Sequence, residues 1–406
     1  MPIEHDAPRG RRTAGFVLAL MAATMLTACA APHENKPTLE ATPLSAAILP
    51  PTTALTLAQT RAADGRAHTL AVVAQVGGAV QALDLTVLGA PLDADMLDAL
   101  AAVDETRLAE ALASPGAAKV YTLSSLLPAG GTSTRHLASG TNFPEHAEET
   151  ELASVFNFPK FGPPSGPYTT VRNRPGDILD YEIELCLRMD RDVRSVADFD
   201  AARKGFFLCG DFSERATMLR LLDPKNVASG RGFTDAKSRP DYYPTGPFLV
   251  VPRDWTAFVK TERIVNEVNG KVRQDARGGE MTLDFRQLTE KALKEHAKSF
   301  PYQGKEVPLL DGAVIPKGSA VMSGTPEGVI FVPPGKGDIA RGVAVYIFTG
   351  GWLRGQAPMQ GVVQAYARHE LASGRYLKAG DIVRHESSSM GALEVKVVGS
   401  PSSPAN

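Results

Sequence analysis

The sequence predicts a strand-dominated α+β protein, in which a small N-terminal α+β domain precedes a larger domain. Two β-rich runs meet at a glycine pair near residue 77, and a helical pattern follows them. Beyond residue 130 most of the chain alternates short β-rich runs with Gly/Pro pairs, and helical patterns are scarce. Few helices among many short strands are typical of the α+β class rather than of alternating βαβ units.

Length and composition favour a globular protein and exclude several functions. The chain has 406 residues, of which 43% are hydrophobic, so it can bury a full core. Its 43 Lys and Arg residues balance 45 Asp and Glu residues, which gives no electrostatic footprint for nucleic acid. No G-x-S-x-G, H-E-x-x-H, G-x-G-x-x-G or P-loop motif occurs, so the common serine hydrolase, zinc protease and nucleotide-binding chemistries have no local support.

Residues 1–28 have the layout of a secretory signal peptide. Three arginines within residues 9–12 precede an uncharged apolar run over 14–26, which is too short for a membrane span. The run ends in the sequence LTAC, which resembles the bacterial lipobox, where the cysteine is lipidated and becomes the mature N-terminus. We therefore expect a lipid anchor on Cys29 that holds the protein in the bacterial cell envelope, at the outer membrane and facing the periplasm.

The next residues predict a tether and then a β-hairpin. Residues 29–53 contain five prolines among small and polar residues, a composition that stays extended and forms no core. The small domain, 54–128, follows. In it the runs HTLAVVAQV and AVQALDLTV flank Gly77 and Gly78, the kind of two-residue turn that tight hairpins require.

One helix completes the small domain, and the larger domain covers residues 129–400. Apolar residues at helical spacing over 96–112 follow Asp93, so we expect an amphipathic helix with Asp93 as its N-cap that ends near Ala113. In the larger domain, helical patterns occur near residues 216–222 and 285–298, and residues 401–406 form a tail.

Two alternating acids are the first candidate site. Glu182 and Glu184 lie in the β-rich run DILDYEIELCLRM, so both carboxylates point to one face of a strand. A bound cation would offset their repulsion, and all-oxygen ligands suit Mg²⁺, Mn²⁺ or Ca²⁺. Exposed acids on a solvent-facing strand are the alternative. Asp211 ends the apolar run GFFLCG and is either a third ligand, the N-cap of the short helix that follows, or both.

A histidine and a carboxylate form the second candidate. Pro144 can start a helical turn, which places His146 and Glu149 at positions i and i+3 on one face. A carboxylate beside an imidazole orients the ring and stabilises its charged form, as a general base acting on water requires. The alternative is an exposed acidic turn with a solvated histidine.

Three further features carry possible chemistry. Lys237 lies among rigid turn residues, where a fixed ammonium would stabilise an enolate or carboxylate oxygen, unless it is an ordinary surface lysine. Thr325 lies in the turn SGTPEGV, whose hydroxyl and backbone N–H groups would bind a substrate carboxylate, unless it is only a turn. Cys186 and Cys209 either form one disulfide in an exported protein or remain buried thiols.

Seven sequence blocks, taken in order over about 240 residues, resemble the fumarylacetoacetate hydrolase family. Because the blocks occur together and in order, each one supports the functional interpretation of the others. The blocks are N-F-x-x-H-A-x-E at 142–149, D-Y-E-x-E-L at 180–185, G-D-F-S-x-R at 210–215, K-S-x(5)-P-x-G-P at 237–247, V-N-G-K-V-R-Q at 268–274, S-G-T-P-E-G-V at 323–329 and L-K-A-G-D at 377–381.

The resemblance implies a larger domain folded as a mixed β-sandwich roll that binds Mg²⁺ or Mn²⁺, with Ca²⁺ as a further possibility. By residue-wise match, Glu182, Glu184 and Asp211 would be the metal ligands. The metal would chelate a small oxo acid through two oxygens and stabilise its enolate. The resemblance also implies a homodimer.

The resemblance assigns roles to five more residues. His146 and Glu149 would be an acid/base dyad on a mobile lid, and Lys237 would stabilise the developing oxyanion. Thr325 and Arg215 would bind the substrate, with Thr325 on its carboxylate. The roles of His146, Glu149, Lys237 and Thr325 agree with those argued from the residues themselves.

The sequence departs from the family pattern in three places. Ala216 and Met218 stand where the family commonly has Asp and a substrate-facing Gln, which puts the substrate contacts in doubt. Arg239 and Pro240 replace a usual Phe-Asp pair and add charge near the site. The stretch 330–376 is longer than the family's usual link, so it would shape the pocket or an interface.

The resemblance leaves four reactions open: C–C hydrolysis of acylpyruvate-like diketones, decarboxylation, enol–keto isomerisation and dehydration of oxo acids. Because one scaffold supports all of them, fold analogy does not choose. A water-activating dyad favours C–C hydrolysis, with isomerisation or decarboxylation of a 2-oxo dicarboxylate second. A lipid-anchored binding protein without turnover is the alternative of another class.

Overall fold

The computed structural model describes residues 35–399, except residues 36, 115, 151, 153, 224, 225, 356 and 357. The predicted signal peptide, Cys29 and the tail at 401–406 lie outside the described residues. Within the described part, no helix has the length and apolar character needed to cross a membrane.

Strands and helices are both abundant in the described part. The strands are β1 Ala54–Arg61, β2 Ala67–Val76, β3 Ala79–Asp84, β4 Lys119–Thr122, β5 Arg135–Gly140, β6 Phe156–Phe161, β7 Tyr168–Asn173, β8 Leu179–Asp180, β9 Ile183–Met189, β10 Lys204–Gly210, β11 Ser213–Glu214, β12 Leu249–Pro252, β13 Arg263–Val268, β14 Lys271–Arg277, β15 Ser299–Tyr302, β16 Lys305–Pro308, β17 Val321–Met322, β18 Ile382–Ser387 and β19 Ala392–Gly399. The α-helices are α1 Met96–Ala101, α2 Glu105–Ala113, α3 Pro144–Glu149, α4 Val196–Ala201, α5 Arg215–Leu221, α6 Phe233–Lys237, α7 Trp255–Thr261, α8 Phe285–Lys294, α9 Lys336–Phe348 and α10 Pro358–Ser373. Short 3-10 helices cover Leu85–Leu88, Leu123–Ser125, Val227–Ser229, Gly278–Glu280 and Gly351–Arg354.

Two large mixed sheets form the framework, which confirms the predicted strand-rich α+β class. The first has ten strands in the order β4-β3-β2-β1-β12-β10-β9-β17-β5-β6, and the second has five in the order β14-β13-β18-β19-β7. One pair in each sheet, β17–β5 and β19–β7, is parallel. Neither of these two sheets is closed.

The ten-stranded sheet runs through the predicted boundary between the small and the larger domain. β1 of the small domain pairs in antiparallel fashion with β12 of the larger one, from Ala54 opposite Pro252 to Leu57 opposite Leu249. The hairpin of β2 and β3 turns at residues 77–78, as its glycine pair predicts. The two predicted domains therefore share one continuous hydrogen-bonded sheet.

The prediction of a single helix capped by Asp93 is wrong in two respects. Asp93 has φ of +56° and accepts from the Ala67 N–H, so it caps no helix. The N-cap is Asp95, whose carboxylate accepts from Leu97 N at 2.8 Å. The helical pattern is also interrupted, since α1 ends at Ala101 and α2 begins after a second Asp cap. A new N-cap aspartate within an apolar periodicity is a signal that a chain starts a second helix.

The Pro-rich segment that precedes β1 is irregular, as predicted, but it lies on the protein surface rather than free of it. Residues 37–53 contain no helix or strand. Glu40 forms ion pairs with Arg277 at 2.5 Å and Arg263 at 3.3 Å. Asn35 donates to the carbonyls of Val329 and Phe331 at 2.8 and 3.1 Å. The segment is therefore bound along the five-stranded sheet and to the turn that ends near residue 329.

The long stretch 330–376 is largely helical, which the sequence did not predict. It folds as the antiparallel pair α9 and α10, and two glycines allow their close approach. A Cβ on Gly342 would lie 2.7 Å from Val362 Cα, and one on Gly361 would lie 2.8 Å from the Tyr346 ring. Glycine inside these helices thus marks contact between the helices rather than a turn.

Cys186 and Cys209 form a disulfide, so the first of the two alternatives for these residues holds. Cys186 lies on β9 and Cys209 on β10, which are adjacent antiparallel strands, and the two Cα atoms are 6.0 Å apart. The bridge joins the two strands that carry most of the candidate site.

Candidate active site

The three predicted metal ligands come together on two neighbouring strands. Glu184 lies on β9 and pairs in register with Cys209 on β10, while Glu182 precedes β9 and Asp211 follows β10. The Asp211 N–H donates to the Glu182 carbonyl at 2.9 Å, which fixes the two loops against each other. One carboxylate oxygen from each acid lies within 4.8 Å of the others. The period-2 reasoning that placed Glu182 and Glu184 on one face therefore leads to a real cluster.

The cluster is buried, so the alternative of solvent-exposed acids is wrong. Glu184 and Asp211 are inaccessible to solvent and Glu182 is 5% exposed. The N-cap of α5 is Glu214, whose carboxylate accepts from Ala216 N and Thr217 N, so Asp211 does not cap this helix.

Three cations surround the acids. Lys237, the last residue of α6, places Nζ 2.6 Å from Glu182 Oε2 and 3.0 Å from Asp211 Oδ2. Arg215 Nη2 lies 2.8 Å from Glu182 Oε1. Lys160, on β6, donates to Asp211 Oδ1 at 2.6 Å and to the carbonyls of Lys237 and Tyr242. Lys237 is therefore a buried part of the site and not a surface lysine.

The two glutamates sit in opposite electrostatic environments. Burial raises the pKa of Glu182, but Lys237 and Arg215 outweigh it and lower that pKa to about 2. Burial also raises the pKa of Glu184, and the charges of Asp211 and Glu182 raise it further, well above its ordinary value. For Lys237, burial lowers the pKa, yet Asp211 and Glu182 more than offset this, so its pKa is raised. Glu182 is thus stabilised as an anion, whereas the surroundings of Glu184 favour its neutral form.

The donor set fits a hard divalent cation. Glu184 Oε1 is buried and has no hydrogen-bond partner among the described residues, although Gly324 N donates to the other oxygen at 2.9 Å. A buried carboxylate oxygen without a partner is costly, and a cation placed among three converging carboxylates would satisfy it. All-oxygen ligation is what Mg²⁺, Mn²⁺ and Ca²⁺ prefer.

His146 and Glu149 form the predicted pair on the short helix α3. His146 Nδ1 lies 3.0 Å from Glu149 Oε2, and His146 is 7% exposed, so it is not a solvated histidine on an acidic turn. Glu149 Oε1 accepts from Gly328 N at 2.8 Å. Glu149 is therefore held from two sides and can fix the orientation of the imidazole.

The turn at 323–329 packs against β9 and uses its own hydroxyl internally. Thr325 Oγ1 donates to the Ile183 carbonyl at 3.0 Å and accepts from Gln274 Nε2 at 2.8 Å. To donate to a substrate carboxylate, this hydroxyl would have to release the Ile183 carbonyl, because it has a single hydrogen, and that role stays a prediction. Gly328, whose N–H donates to Glu149, has φ of +99°, and a Cβ there would lie 2.0 Å from the Arg273 carbonyl, so only glycine fits at this position.

A cavity of about 770 Å³ is lined by His146 of the dyad and by Glu182 of the acidic group. At one end it is lined by His146, Glu182, Arg215, Lys237 and Thr325. The rest is lined mainly by apolar side chains from α5, α10 and the segment after residue 329. The geometry can hold a small acid at the polar end, next to a histidine that a carboxylate orients.

The three sequence departures fall in different places relative to this cavity. Met218 lines it directly, and the stretch 330–376 supplies much of its wall. Arg239 does not line it, because its guanidinium is bound to Asp177 at 2.8 Å and to Glu214 at 3.2 Å.

Sequence reasoning missed Lys160 and assigned no role to Gln274. Lys160 is inaccessible to solvent, although it lies in the strand FNFPKF among three phenylalanines. A lone lysine among aromatic residues in a strand was the available signal, because a buried lysine requires a paired charge. Gln274 accepts from Ile183 N and donates to Thr325 and to the Pro326 carbonyl, so it joins β14 to the ligand strand and to the turn.

Residues 135–398 match the family model for the C-terminal domain of fumarylacetoacetate (FAA) hydrolase. The chain belongs to the fumarylacetoacetate hydrolase family. Known proteins of this family are enzymes, both hydrolases and isomerases, and they typically use a divalent metal. The buried group of Glu182, Glu184 and Asp211 agrees with that use.

The chain is also similar to individual proteins. The solved structures among them share its fold and do not determine its reaction. Two uncharacterized proteins from strains of Staphylococcus epidermidis are each 27% identical over 200 residues, which is 48% of this chain and 58% of theirs. The matched region thus spans little more than half the length of these relatives. A 2-hydroxyhepta-2,4-diene-1,7-dioate isomerase of Mycobacterium marinum is 18% identical with a TM-score of 0.51, over 85% of this chain and 99% of that one. A fumarylacetoacetate hydrolase of Exiguobacterium antarcticum is 18% identical with a TM-score of 0.53, over the same shares.

Proposed function

We propose that the protein is a divalent-metal-dependent hydrolase that cleaves a C–C bond in a small 1,3-dicarbonyl acid of the acylpyruvate type. The observation that carries this proposal is the position of His146, which is paired with Glu149 and lines the same cavity as Glu182 of the buried acidic group. Such a pair can activate water beside a bound acid. The metal, held by Glu182, Glu184 and Asp211, would supply Lewis-acid stabilisation of negative charge on substrate oxygens.

In the proposed reaction His146 both accepts and returns the proton. His146 Nδ1 is bound to Glu149, so Nε2 is the ring atom that can accept a proton from water. The water oxygen forms a bond to the acyl carbon, and the bond between that carbon and the neighbouring CH₂ breaks. The electron pair of that bond leaves on the pyruvate fragment as its enolate. The proton taken up by His146 then returns to the CH₂ carbon, which gives a carboxylic acid and pyruvate.

Lys237 supports the same step by its charge. Its raised pKa keeps the ammonium charged, and it is fixed by Glu182 and Asp211 at the polar end of the cavity. A fixed positive charge costs no reorganisation when negative charge develops nearby. Arg215 is bound to Asp180 and Glu182, so its direct effect is to hold Glu182 in place. Arg215 also lines the cavity, and contact with the substrate is its second proposed role.

Isomerisation of a 2-oxo dicarboxylate is the second candidate function. A histidine oriented by a carboxylate can also move a proton between carbon and oxygen without adding water. The Mycobacterium marinum neighbour is named as a 2-hydroxyhepta-2,4-diene-1,7-dioate isomerase. Decarboxylation, and a binding protein that has lost turnover, are the remaining alternatives.

The test follows the enol ultraviolet absorbance of acetylpyruvate with the full chain and Mg²⁺, and then with a chelator. We expect absorbance to fall with metal and to stop falling with the chelator. Replacing His146 or Glu149 by Ala should lower kcat by roughly 10²–10⁴-fold and leave metal binding intact. Glu148→Ala is the matched control, since Glu148 lies exposed on the same helix. A metal-loaded protein that leaves the absorbance of both acetylpyruvate and hexanoylpyruvate unchanged would exclude this hydrolysis, and NMR of an added 2-oxo dicarboxylate would then test isomerisation.

We also propose that the protein is lipid-anchored in the bacterial cell envelope. The Cys186–Cys209 disulfide supports this, because such bridges persist mainly in oxidising compartments. Mass spectrometry of the mature N-terminus should find a lipidated Cys29. Cys29→Ser should move the protein out of the membrane fraction, and an unmodified N-terminus in that fraction would contradict the proposal.

A further inference from the structure

We infer that the substrate is a monocarboxylate with a large apolar acyl group, bound in the half of the cavity that lies away from the acids. This inference rests on the proposed function for the polar end of the cavity. The inference adds the chemical nature of the acyl group, which lies at the opposite end of the substrate from the 2-oxo acid. It also separates this chain from enzymes whose substrates carry a carboxylate at both ends.

The cavity is apolar over most of its length. Beyond the acidic group its wall includes Met218, Leu219, Phe233, Val329, Phe331 and Tyr366. Most of these residues belong to a separate small cluster of buried apolar side chains, built by α5, α6, α10 and the segment 329–331. The cavity volume of about 770 Å³ falls within the roughly 300–1,000 Å³ typical of sites for drug-sized ligands. A five- or six-carbon acid would leave much of this space unfilled.

The apolar half offers little to a second carboxylate. Arg215 is bound to Asp180 and Glu182, and Lys237 to Glu182 and Asp211, so both cations serve the polar end. Among the described lining residues, the remaining Lys or Arg is Arg220, which is exposed and donates to Thr217 Oγ1 at 2.9 Å. A carboxylate placed against the apolar wall would lose its hydration without a buried partner.

The apolar lining continues to the surface, so a long chain would not meet a closed end. Ile339 on α9 and Met359 on α10 line the cavity and are 41% and 46% exposed. Val362 and Val363 on α10 also line the cavity and are more buried than these two residues. The geometry therefore points to alkyl or aryl acylpyruvates rather than to the shortest members of the class.

The first experiment compares kcat/KM of the full chain with Mg²⁺ for acetylpyruvate, hexanoylpyruvate and decanoylpyruvate. It includes an analogue of the hexanoyl compound that ends in a carboxylate. We expect kcat/KM to rise by at least tenfold from acetyl to hexanoyl, and the diacid to be the poorer substrate of the matched pair. Equal kcat/KM values along the series, or a preference for the diacid, would overturn the inference.

A binding measurement separates the inference from the proposed reaction. Unbranched 2-oxo acids from pyruvate to 2-oxodecanoate cannot undergo the cleavage, and calorimetry with Mg²⁺ gives their Kd. Full burial of one methylene corresponds to about fourfold in Kd, so Kd should fall two- to fourfold per added carbon until the cavity is filled. Binding should also show a negative heat-capacity change. If acylpyruvates are not cleaved but this trend holds, the reaction is wrong and the inference stands, whereas a constant Kd overturns the inference.

A matched pair of variants locates the effect in the cavity wall. Val363→Glu places a carboxylate on the half-buried inner side of α10 and should remove the preference for hexanoylpyruvate over acetylpyruvate. Val343→Glu makes the same change at an exposed position of α9 that does not line the cavity, and the preference should persist. Loss of the preference in both variants, or in neither, would contradict the assignment.

Discussion

The two ends of the cavity are built in different ways. At the polar end, Glu184, Asp211 and Lys160 are all inaccessible to solvent, and each lies on or next to a strand of the ten-stranded sheet. At the apolar end, the wall is a small separate cluster built by α5, α6, α10 and residues 329–331, and helix α9 leaves Ile347 and Phe348 55% and 81% exposed. One end is thus fixed by paired buried charges and the other by ordinary packing.

This difference separates chemistry from substrate choice. Removing one member of a buried ion pair leaves an uncompensated charge, so the polar end tolerates little change. Volume-conserving exchanges in an apolar wall usually cost little free energy of unfolding. We therefore expect variation that alters the substrate to concentrate in α5, α9 and α10, while the acids and lysines stay as they are.

The largest expected effect comes from breaking the ion pairs at the polar end. Lys160→Met removes the donor to Asp211 Oδ1 and to two backbone carbonyls, and it should lower the free energy of unfolding by about 3–5 kcal/mol. Urea denaturation measures this effect. Lys305→Met, at an exposed position of β16, should change the free energy of unfolding by about 0.5 kcal/mol or less. Equal stability of the two variants would show that Lys160 does not hold the acidic group.

Removing a metal-binding carboxylate tests the polar end without removing one of its lysines. Glu184→Ala should weaken Mn²⁺ binding by more than about a hundredfold, because even partners of the ligands typically contribute 10–100-fold in affinity. Electron paramagnetic resonance titration with Mn²⁺ measures the loss. Glu148→Ala, which removes an exposed acid, should bind like the parent protein. Retention of micromolar Mg²⁺ or Mn²⁺ affinity by Glu184→Ala would refute the metal site.

The contrast between the ends also decides what the sequence could predict. Glu182 with Glu184, and His146 with Glu149, follow local periodicities of two and of three to four residues, so the chain itself places them side by side. Lys160 follows no local rule, because its partner Asp211 lies 51 residues away and is brought near by the sheet. Its aromatic surroundings were the remaining clue.

The helical wall was missed for a related reason. Gly342 and Gly361 are typical of turns in a local interpretation, whereas in the fold they let α9 and α10 approach each other. The ligand strands, in contrast, were visible as β-rich runs bounded by turn residues. Features fixed by periodicity were predictable, and those fixed by contact between distant segments were not.

A moderate effect should appear when the apolar end is altered alone. A side chain at Gly342 would lie 2.7 Å from Val362 Cα, so Gly342→Leu should separate α9 from α10 at a local cost of about 1–3 kcal/mol. Hydrogen exchange over 336–373 should become faster, while Mn²⁺ affinity stays within twofold. Gly337→Leu is the control, since nothing lies within 4 Å of a Cβ at that position. A parallel loss of metal affinity would mean that the two ends are coupled.

The smallest expected effect concerns protons at the polar end. Burial, Asp211 and Glu182 raise the pKa of Glu184 in the metal-free protein, and a protonated carboxyl is a poor ligand. Metal binding should therefore release a proton from Glu184 below that pKa, and affinity should rise with pH by up to about tenfold per unit. The low pKa of Glu182, about 2, means that Glu182 releases none near neutrality. Calorimetry in two buffers with different ionisation enthalpies measures the release, and identical binding enthalpies in both would show that Glu184 is already ionised before the metal binds.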